Sequence, residues 1–301
     1  MLLASMSACK KSDNPAPPPQ PDNTITGIVS SNTSFSLLKS SVVKAGLATT
    51  LSGSGPFTVF APSDTAFTGS GITSSVIGTL TADQLKTILL YHTIPSKILA
   101  ADVPAGPNAK VTTASGDSVF VTKNSAGVFV NGTPVTQADI IASNGVIHAI
   151  ARVLMPPVGN LVQTVQADTS LTYLVAAVVR ASQGSANLAN ILSTGGIFTV
   201  FAPTNNAFRA AGFASTSAIN AADPNQLATI LTYHVLSGRI FSSDLTEGAK
   251  PATVNGEKLT VSLSGGASVK GASNTSKSNI SAVNIVASNG VVHKIDQVLL
   301  P

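Results

Sequence analysis

The spacing of apolar and polar residues predicts the same kind of helix in both halves of the chain. The stretch 80–92 places its apolar residues three and four positions apart, which predicts a helix with one buried face. Thr81 and Gln84 form a capping box at its start. In the second half, Asp223 can cap an equivalent helix, with Pro224 in its first position. Different residues thus predict one local structure twice.

Short apolar runs predict the strands. The hexapeptide FTVFAP occurs at 57–62 and again at 198–203, and its β-branched and aromatic residues are typical of a buried strand. The stretches 114–122 and 254–262 resemble hairpins, with glycine at the turn. In each half one strand comes early, helices dominate the first part and strands follow. This order predicts an α+β domain in which helices pack against an antiparallel sheet or wedge.

The two halves are duplicates over their whole length. Four pairs of segments match in the same order: 32–46 with 168–182, FTVFAP with its copy, 89–95 with 231–237, and 142–156 with 287–301. A unit of roughly 140 residues is large enough to bury its own core. We therefore expect one domain over 23–157 and a second over 158–301.

The composition argues against a nucleic-acid partner. Only 10% of the 301 residues are charged, against about 25% in an average globular chain. The net charge is +4, and no basic run is longer than Lys10-Lys11. Since a phosphate-binding face needs clustered cations, we expect a neutral, polar surface without affinity for nucleic acid.

The amino-terminal segment predicts a lipid anchor. Cys9 is the only cysteine, and the small and apolar residues before it resemble the lipobox of bacterial lipoproteins, where the cysteine is lipidated. The following residues are rich in proline, which favours an extended spacer. We expect 1–22 to be a signal remnant and tether, the alternative being a free thiol in a disordered tail.

Three ordered motifs, each present twice, resemble fasciclin domains. They are FTVFAPSDTAF, the Tyr91-His92 pair and ASNGVIHAIARVLMP, with their copies in the second half. The resemblance covers nearly all of 23–301. It implies two tandem domains, each a β-wedge or sandwich with a packed helical layer, in a secreted or surface-anchored protein associated with adhesion.

The resemblance also implies candidate partner-binding residues. The family's Tyr-His motif and its Asp-Ile element fall on Tyr91, His92, Tyr233, His234, Asp139 and Ile140. At the position of the aspartate the second copy has Asn284 and loses the carboxylate. For the Tyr-His pairs the alternative is a purely structural role at the end of a buried helix.

The four histidines occupy matched positions in the repeat. His92 and His234 follow the tyrosines, and His148 and His293 lie in the last strand of each half. His148 alternates with apolar residues, so we expect a hydrogen-bonded structural residue. The sequence lacks HExxH, GxSxG, phosphate-loop and GxGxxG motifs. We therefore expect no metal site, no cofactor and no enzymatic activity.

Together these features predict a lipid-anchored protein of a bacterial cell envelope, at the outer membrane or cell surface. Its expected function is non-catalytic adhesion to an extracellular or envelope protein or polysaccharide, since tandem domains multiply weak contacts. Two alternatives remain open at this stage. They are a carrier of a small apolar ligand in a cleft of the domain, and a structural spacer of the envelope.

Overall fold

Each half of the chain forms its own sheet and its own set of helices. The computed structural model describes residues 22–185 and 187–301. Within them, no strand of the first half joins the sheet of the second. Cys9 and the proline-rich residues of the predicted tether, up to Pro21, lie outside the described residues. We refer to 23–157 as domain 1 and to 158–301 as domain 2.

Domain 1 has a first part rich in helices and a second part rich in strands. Its α-helices are α1 Ile25–Ser31, α2 Ser36–Lys44, α3 Ala48–Ser52, α4 Asp64–Gly69, α5 Ser74–Thr79 and α6 Ala82–Tyr91. Its strands are β1 Phe57–Pro62, β2 Thr93–Ile94, β3 Gly106–Thr112, β4 Ser118–Asn124, β5 Gly127–Val130, β6 Thr133–Ala142 and β7 Gly145–Ile150.

Domain 2 repeats this order with shorter middle strands. Its α-helices are α7 Leu161–Gln166, α8 Thr172–Ala181, α9 Leu188–Thr194, α10 Asn205–Ala210, α11 Thr216–Ala221 and α12 Pro224–Tyr233. Its strands are β8 Phe198–Pro203, β9 Val235–Ser237, β10 Thr260–Ser262, β11 Ser268–Lys270, β12 Ser278–Ala287 and β13 Gly290–Ile295.

The predicted helix starts are confirmed. Thr81 accepts from the backbone N–H of Gln84, whose side chain accepts from the N–H of Thr81, so the capping box is complete. Asp223 accepts from two backbone N–H groups and is followed by Pro224 at the first helical position. Local signals therefore define both helices.

The expected antiparallel sheet is in fact mixed. The strand order is β2-β1-β7-β6-β5-β4-β3 in domain 1 and β10-β11-β12-β13-β8-β9 in domain 2. The early strand β1 lies parallel to the last strand β7, and β8 lies parallel to β13. The remaining pairs are antiparallel. Local sequence patterns missed the parallel pairs because their strands are separated by most of a domain.

The repeated Asn-Gly of the ASNG motif explains how these parallel pairs form. A Cβ atom at Gly145 would lie 2.0 Å from the carbonyl oxygen of Phe57, and one at Gly290 would lie 2.2 Å from that of Phe198. Both distances are far below van der Waals contact, so only glycine allows the two backbones to approach this closely.

The asparagine of the motif ties the first helix to the last strand. Asn144 Oδ1 accepts from the N–H of Ile25 at 2.9 Å, and its Nδ2 donates to the carbonyl of Leu51 at 2.8 Å. Asn289 makes the matching bonds to Leu161 and Leu192. The two ends of each domain are thus fastened by one side chain.

Each domain buries two hydrophobic clusters on opposite sides of β1 and β7, or of β8 and β13. One lies under the helices and contains Leu38, Leu85, Leu89 and Ile147 in domain 1. The other fills the curled strands and contains Phe60, Tyr91, Val119 and Ile150. We call this second group the wedge cluster; its counterpart in domain 2 contains Phe201, Tyr233, Leu259 and Ile295.

Candidate functional site

The Tyr-His pairs end α6 and α12, and all four side chains are buried. Tyr91 and Tyr233 are 0% exposed, and His92 and His234 are 1% exposed. The hydroxyl of Tyr91 donates to the carbonyl of Ser118 at 3.1 Å. Tyr233 donates to the carbonyl of Lys258 at 2.8 Å. Each tyrosine therefore joins a helix end to a strand region on the far side of the wedge cluster.

Burial also sets the ionisation of these groups. Desolvation raises the pKa of Tyr91 to about 12 and lowers the pKa of His92 and of His234 to about 4. Loss of hydration disfavours the charged form of each group. At neutral pH both histidines are therefore uncharged.

Each of the two helix-end histidines joins its helix to the chain segment that follows the last strand of its domain. His92 Nδ1 lies 2.8 Å from the carbonyl of Ile88, and its Nε2 accepts from the N–H of Leu154 at 2.9 Å. His234 makes the equivalent bonds, both at 2.8 Å, to Ile230 and Leu299. Both ring nitrogens are used, so none remains for a partner in the folded state.

The histidines of the last strands hold a bulge in the neighbouring strand. Asp139 and Asn284 have φ of 58° and 63°, and their backbone N–H groups donate to His148 Nδ1 and His293 Nδ1. Positive φ at a residue with a side chain is strained and needs such support. The hydrogen-bonded, buried role predicted for His148 is confirmed.

The other ring nitrogen of these histidines reaches the loop that follows β2 or β9. His148 Nε2 lies 2.9 Å from the carbonyl of Ile98, and His293 Nε2 lies 2.9 Å from that of Ile240. We define the loop face of domain 1 as 97–102 with Asp139. The loop face of domain 2 is 239–244 with Asn284.

The two loop faces share the same backbone frame. In domain 1, Asp102 Oδ2 accepts from the N–H of Leu99 at 2.9 Å, and Asp139 Oδ1 accepts from the N–H of Ala100 at 2.9 Å. In domain 2 the equivalent acceptors are the side chains of Asp244 and Asn284, each at 2.8 Å. One loop conformation is therefore built twice.

The loop face of domain 1 is open to solvent. The side chain of Asp139 is 39% exposed, and Lys97, Ala101 and Asp102 are exposed as well. Ile140, next to Asp139, is half-buried and packs at the edge of the helix-side core. Of the sequence-predicted site residues in domain 1, Asp139 is the one whose side chain faces solvent.

The loop face of domain 2 is covered by the strands of domain 1. The guanidinium carbon of Arg239 lies 4.1 Å from the ring centroid of Phe120, a cation–π geometry. The ring of Phe241 lies 6.1 Å from that of Phe120. Phe120 is thus held by two side chains of the other domain.

Polar contacts surround this aromatic centre. Asn108 Nδ2 donates to the carbonyl of Arg239 at 2.8 Å, and Thr122 Oγ1 donates to Asp244 Oδ1 at 3.2 Å. Asn124 Nδ2 lies 3.3 Å from the carbonyl of Ser243. We call this set of contacts the interdomain joint. An apolar centre with a polar rim is the usual anatomy of a protein–protein interface.

Backbone carbonyls of its own domain hold Arg239 in place. Its guanidinium donates to the carbonyls of Ala287, Ser288 and Gly290, at the turn between β12 and β13. Desolvation lowers the pKa of Arg239 to about 10, so it stays charged at neutral pH. Sequence reasoning missed Arg239 and Phe120. A comparison of the two repeats could have indicated both residues, because Arg239 aligns with Lys97 and Phe120 aligns with Thr260.

Between residues 22 and 301, leaving out Ala186, no group of three or more His, Cys, Asp or Glu side chains is arranged to hold a metal ion. No helix in this part is long and apolar enough to cross a membrane.

The chain is similar to known proteins over both halves. The model of the fasciclin domain matches residues 33–156 and 169–301. Protein sll1483 of Synechocystis sp. is 40% identical over 136 residues, which are 44% of this chain and 74% of that protein. Transforming growth factor-beta-induced protein ig-h3 of Sus scrofa is 28% identical over 256 residues, which are 83% of this chain and 35% of that protein.

Two other similarities cover most of this chain. Periostin of Homo sapiens is 28% identical over 265 residues, 83% of this chain and 29% of that protein. The chain thus spans about a third of the length of these animal relatives. The solved FAS1 domain pair from the insect cell adhesion molecule Fasciclin I is 18% identical, with a TM-score of 0.42, over 89% of this chain and 97% of that one.

Proposed function

The chain belongs to the fasciclin domain family, and from this premise we propose that it is a non-catalytic adhesion protein whose loop face on domain 1 binds an extracellular or envelope protein. Fasciclin domains occur in adhesion and extracellular matrix proteins.

One observation carries this proposal: the same face already binds protein elsewhere in the chain. The loop face of domain 2 contacts the strands of domain 1 through an aromatic centre and a polar rim. The loop face of domain 1 has the same backbone frame and is exposed. A surface that is suited to protein contact and lacks a partner among the described residues is the best candidate for an external one.

A second copy of the chain does not fit this face well. Strand residues that form the joint in domain 1 are Asn108, Phe120, Thr122 and Asn124. Their matches in domain 2 are Gly248, Thr260, Ser262 and Ser264. Without an aromatic ring or an amide at these positions, domain 2 cannot repeat the joint with another molecule. This favours a different protein as the partner.

The candidate residues then divide into contacting and positioning ones. We propose that Asp139 contacts the partner and that Ile140 lies at the margin of the contact. The buried pairs Tyr91-His92 and Tyr233-His234 would hold the loop faces in place without contacting the partner. Each pair ends a helix directly before the strand that leads into a loop face. Rigid support of this kind lowers the entropy that binding has to overcome.

We also propose that the protein is exported and anchored at the cell envelope through a lipid on Cys9, with 1–22 as the tether. The lipobox-like residues before Cys9 and the prolines after it support this proposal. Mass spectrometry of the mature amino terminus tests it. A diacyl or triacyl group on Cys9 is expected, and an unmodified thiol in membrane-extracted protein would contradict it.

Retention on immobilised partners tests the adhesion proposal. The purified chain is passed over surfaces that carry extracellular-matrix proteins, envelope proteins or envelope polysaccharides. We expect retention by a protein surface and a dissociation constant at least about tenfold higher for Lys97→Glu, since charge reversal at an interface costs binding energy. Lys86→Glu, an exposed charge reversal on α6, is the matched control.

Two results would contradict the proposal. One is the absence of retention on every surface. The other is retention that Lys97→Glu and Ala101→Arg leave unchanged, because both side chains lie on the exposed loop face. Retention by polysaccharide alone would keep adhesion and remove the protein partner.

A further inference from the structure

Domain 1 contains an apolar cavity of about 230 Å³ inside its curled strands. Side chains from several strands and from the chain segment after β2 form the wall. Apolar members of this wall include Phe60, Ile94, Val103, Val121, Val128 and Val135. They belong to the wedge cluster and its margin, so the cavity lies on the opposite side of β1 and β7 from the helices.

The polar atoms in the wall are already paired within the protein. Thr58 Oγ1 donates to the carbonyl of Ser96 at 2.6 Å and accepts from the N–H of Ile98 at 2.8 Å. His148 uses both ring nitrogens, one toward Ile98 and one toward Asp139. A buried water needs two to four polar partners, and apolar cavities without them stay dry. The cavity is therefore suited to an apolar occupant.

The cavity has a mouth through which a ligand can enter. Asp102, Pro104 and Ala138 contribute to the lining and are exposed. The carboxylate of Asp102 and the ammonium of Lys123, which donates to the carbonyl of the lining residue Ala100 at 2.9 Å, place both signs of charge near this opening. The wall inside is apolar, so a charged ligand would lose its hydration without compensation. A neutral ligand fits the site better than a charged one.

The duplicated domain has larger side chains at two positions of the equivalent wall. Where domain 1 has Val103 and Val135, domain 2 has Leu245 and Ile280. Both larger side chains pack against the wedge cluster of domain 2. Each adds one methylene, and tightly packed interiors respond to changes of that size. The second copy therefore shows two substitutions that a wedge cluster of this fold accommodates.

We propose that this cavity is a binding site for one compact, uncharged, apolar molecule. A dry cavity of about 150 Å³ takes up benzene. By the same proportion, about 230 Å³ accommodates about nine non-hydrogen atoms, the size of an alkylbenzene. The cavity opens beside the loop face, because Ile98, Ala100 and Asp102 belong to both. The methyl groups of the strand residues report the cavity and retention on a partner reports the loop face, so either proposal can fail alone.

Methyl NMR of the whole chain with propylbenzene as the probe tests the site. We expect saturable shifts at the methyl groups of Val103, Val121, Val128 and Val135, and a rise in melting temperature with probe concentration. The charged analogue 3-phenylpropionate should bind at least about tenfold more weakly. Shifts that are absent, or that fall in domain 2 instead, would overturn the proposal.

Variants that copy domain 2 provide the second readout. In the double variant Val103→Leu, Val135→Ile, we expect the dissociation constant for propylbenzene to rise at least about tenfold while the melting temperature without probe does not fall. Leu245→Val with Ile280→Val is the matched control and should leave binding in domain 1 unchanged. Unchanged affinity in a folded cavity-filled variant would overturn the site. If that variant does not fold, the methyl map of the natural chain decides alone.

Discussion

The two loop faces of this chain have the same backbone frame and opposite surroundings. In each, a histidine contacts the carbonyl of Ile98 or Ile240, and an aspartate accepts from the backbone N–H of the next residue. Yet the face of domain 2 is covered by domain 1, and the face of domain 1 is open. The frame therefore provides a platform, and the few side chains displayed on it decide what it binds.

The two faces share an isoleucine and an aspartate, Ile98 and Asp102 or Ile240 and Asp244, and differ at the other five positions. Domain 2 displays Arg239 and Phe241 where domain 1 displays Lys97 and Leu99. Arginine stacks on an aromatic ring with a planar, weakly hydrated cation, which the ammonium group of lysine cannot reproduce. Acid titration and matched substitutions separate what the two domains share from what distinguishes them.

Acidification tests the shared frame and should weaken both domains. His92 and His234 have pKa lowered from 6.5 to about 4 by burial. Between these values the unfolded chain binds protons that the folded chain does not. The stabilising contribution of the two neutral histidines is thus complete above pH 6.5 and is lost as the pH falls toward 4. We expect each histidine to contribute a loss of about 1.4 kcal/mol per pH unit.

Urea unfolding from pH 7 to pH 4.5 measures this loss. In His92→Gln, which carries no titratable ring, the free energy of unfolding should fall less steeply with acid than in the natural chain. An unfolding free energy that is flat across this range would show that the rings are not held neutral by the fold.

Removing Arg239 should give the next largest effect and should distinguish the faces. Arg239→Ala leaves the carbonyls of Ala287, Ser288 and Gly290 without their donor and removes the cation over Phe120. We expect a loss of about 3 kcal/mol in the unfolding free energy of domain 2. Lys97→Ala is the matched change in domain 1, and there we expect less than about 0.5 kcal/mol. Equal losses would refute the distinction.

The sequence alone predicts what short-range rules decide. The caps at Thr81 and Asp223 and the buried stripe of α6 follow from residues within one or two helical turns. The duplication itself was visible as matching segments. The family's motifs also indicated the fold, because their order is repeated.

What the sequence missed depends on residues far apart in the chain. The parallel pairing of β1 with β7 joins Phe57 to Gly145 across most of domain 1. The interdomain joint brings Phe120 to Arg239, and no local pattern encodes that contact. The resemblance also placed Tyr91 in a binding motif, whereas its direction, inward or outward, is decided by tertiary packing.

Exchanging the strand residues should weaken the joint by a smaller amount. Phe120→Thr copies Thr260 and removes both the ring contact with Phe241 and the cation–π contact with Arg239. We expect a loss of about 2 kcal/mol in the coupling between the domains. NMR relaxation should then show the two domains tumbling separately. Thr260→Phe is the control, and tumbling that is identical in all three proteins would argue against a rigid joint.

The smallest expected effect comes from exchanging the residue at the bulge. Burial lowers the pKa of His293 to about 4, and Asn284 is its neighbour at the bulge. In domain 1 the counterpart of Asn284 is Asp139, and a carboxylate oxygen of Asp139 lies 4.0 Å from Nδ1 of His148. In Asn284→Asp a negative charge should stabilise the imidazolium of His293. We expect the pKa of His293 to rise by about one unit. Acidification should then lower the unfolding free energy by about 1.4 kcal/mol less than in the natural chain.

The substitution is mild in other respects, because aspartate can still accept from the N–H of Ser242 and the hydroxyl of Ser242 can turn to donate. NMR titration of the His293 ring measures the shift directly, with Ser281→Asp at an exposed position of the same strand as the control for added charge. If the pKa of His293 stays at about 4 in Asn284→Asp, the carboxylate at the bulge does not govern the ring beneath it. The two loop faces would then differ only in the side chains they display.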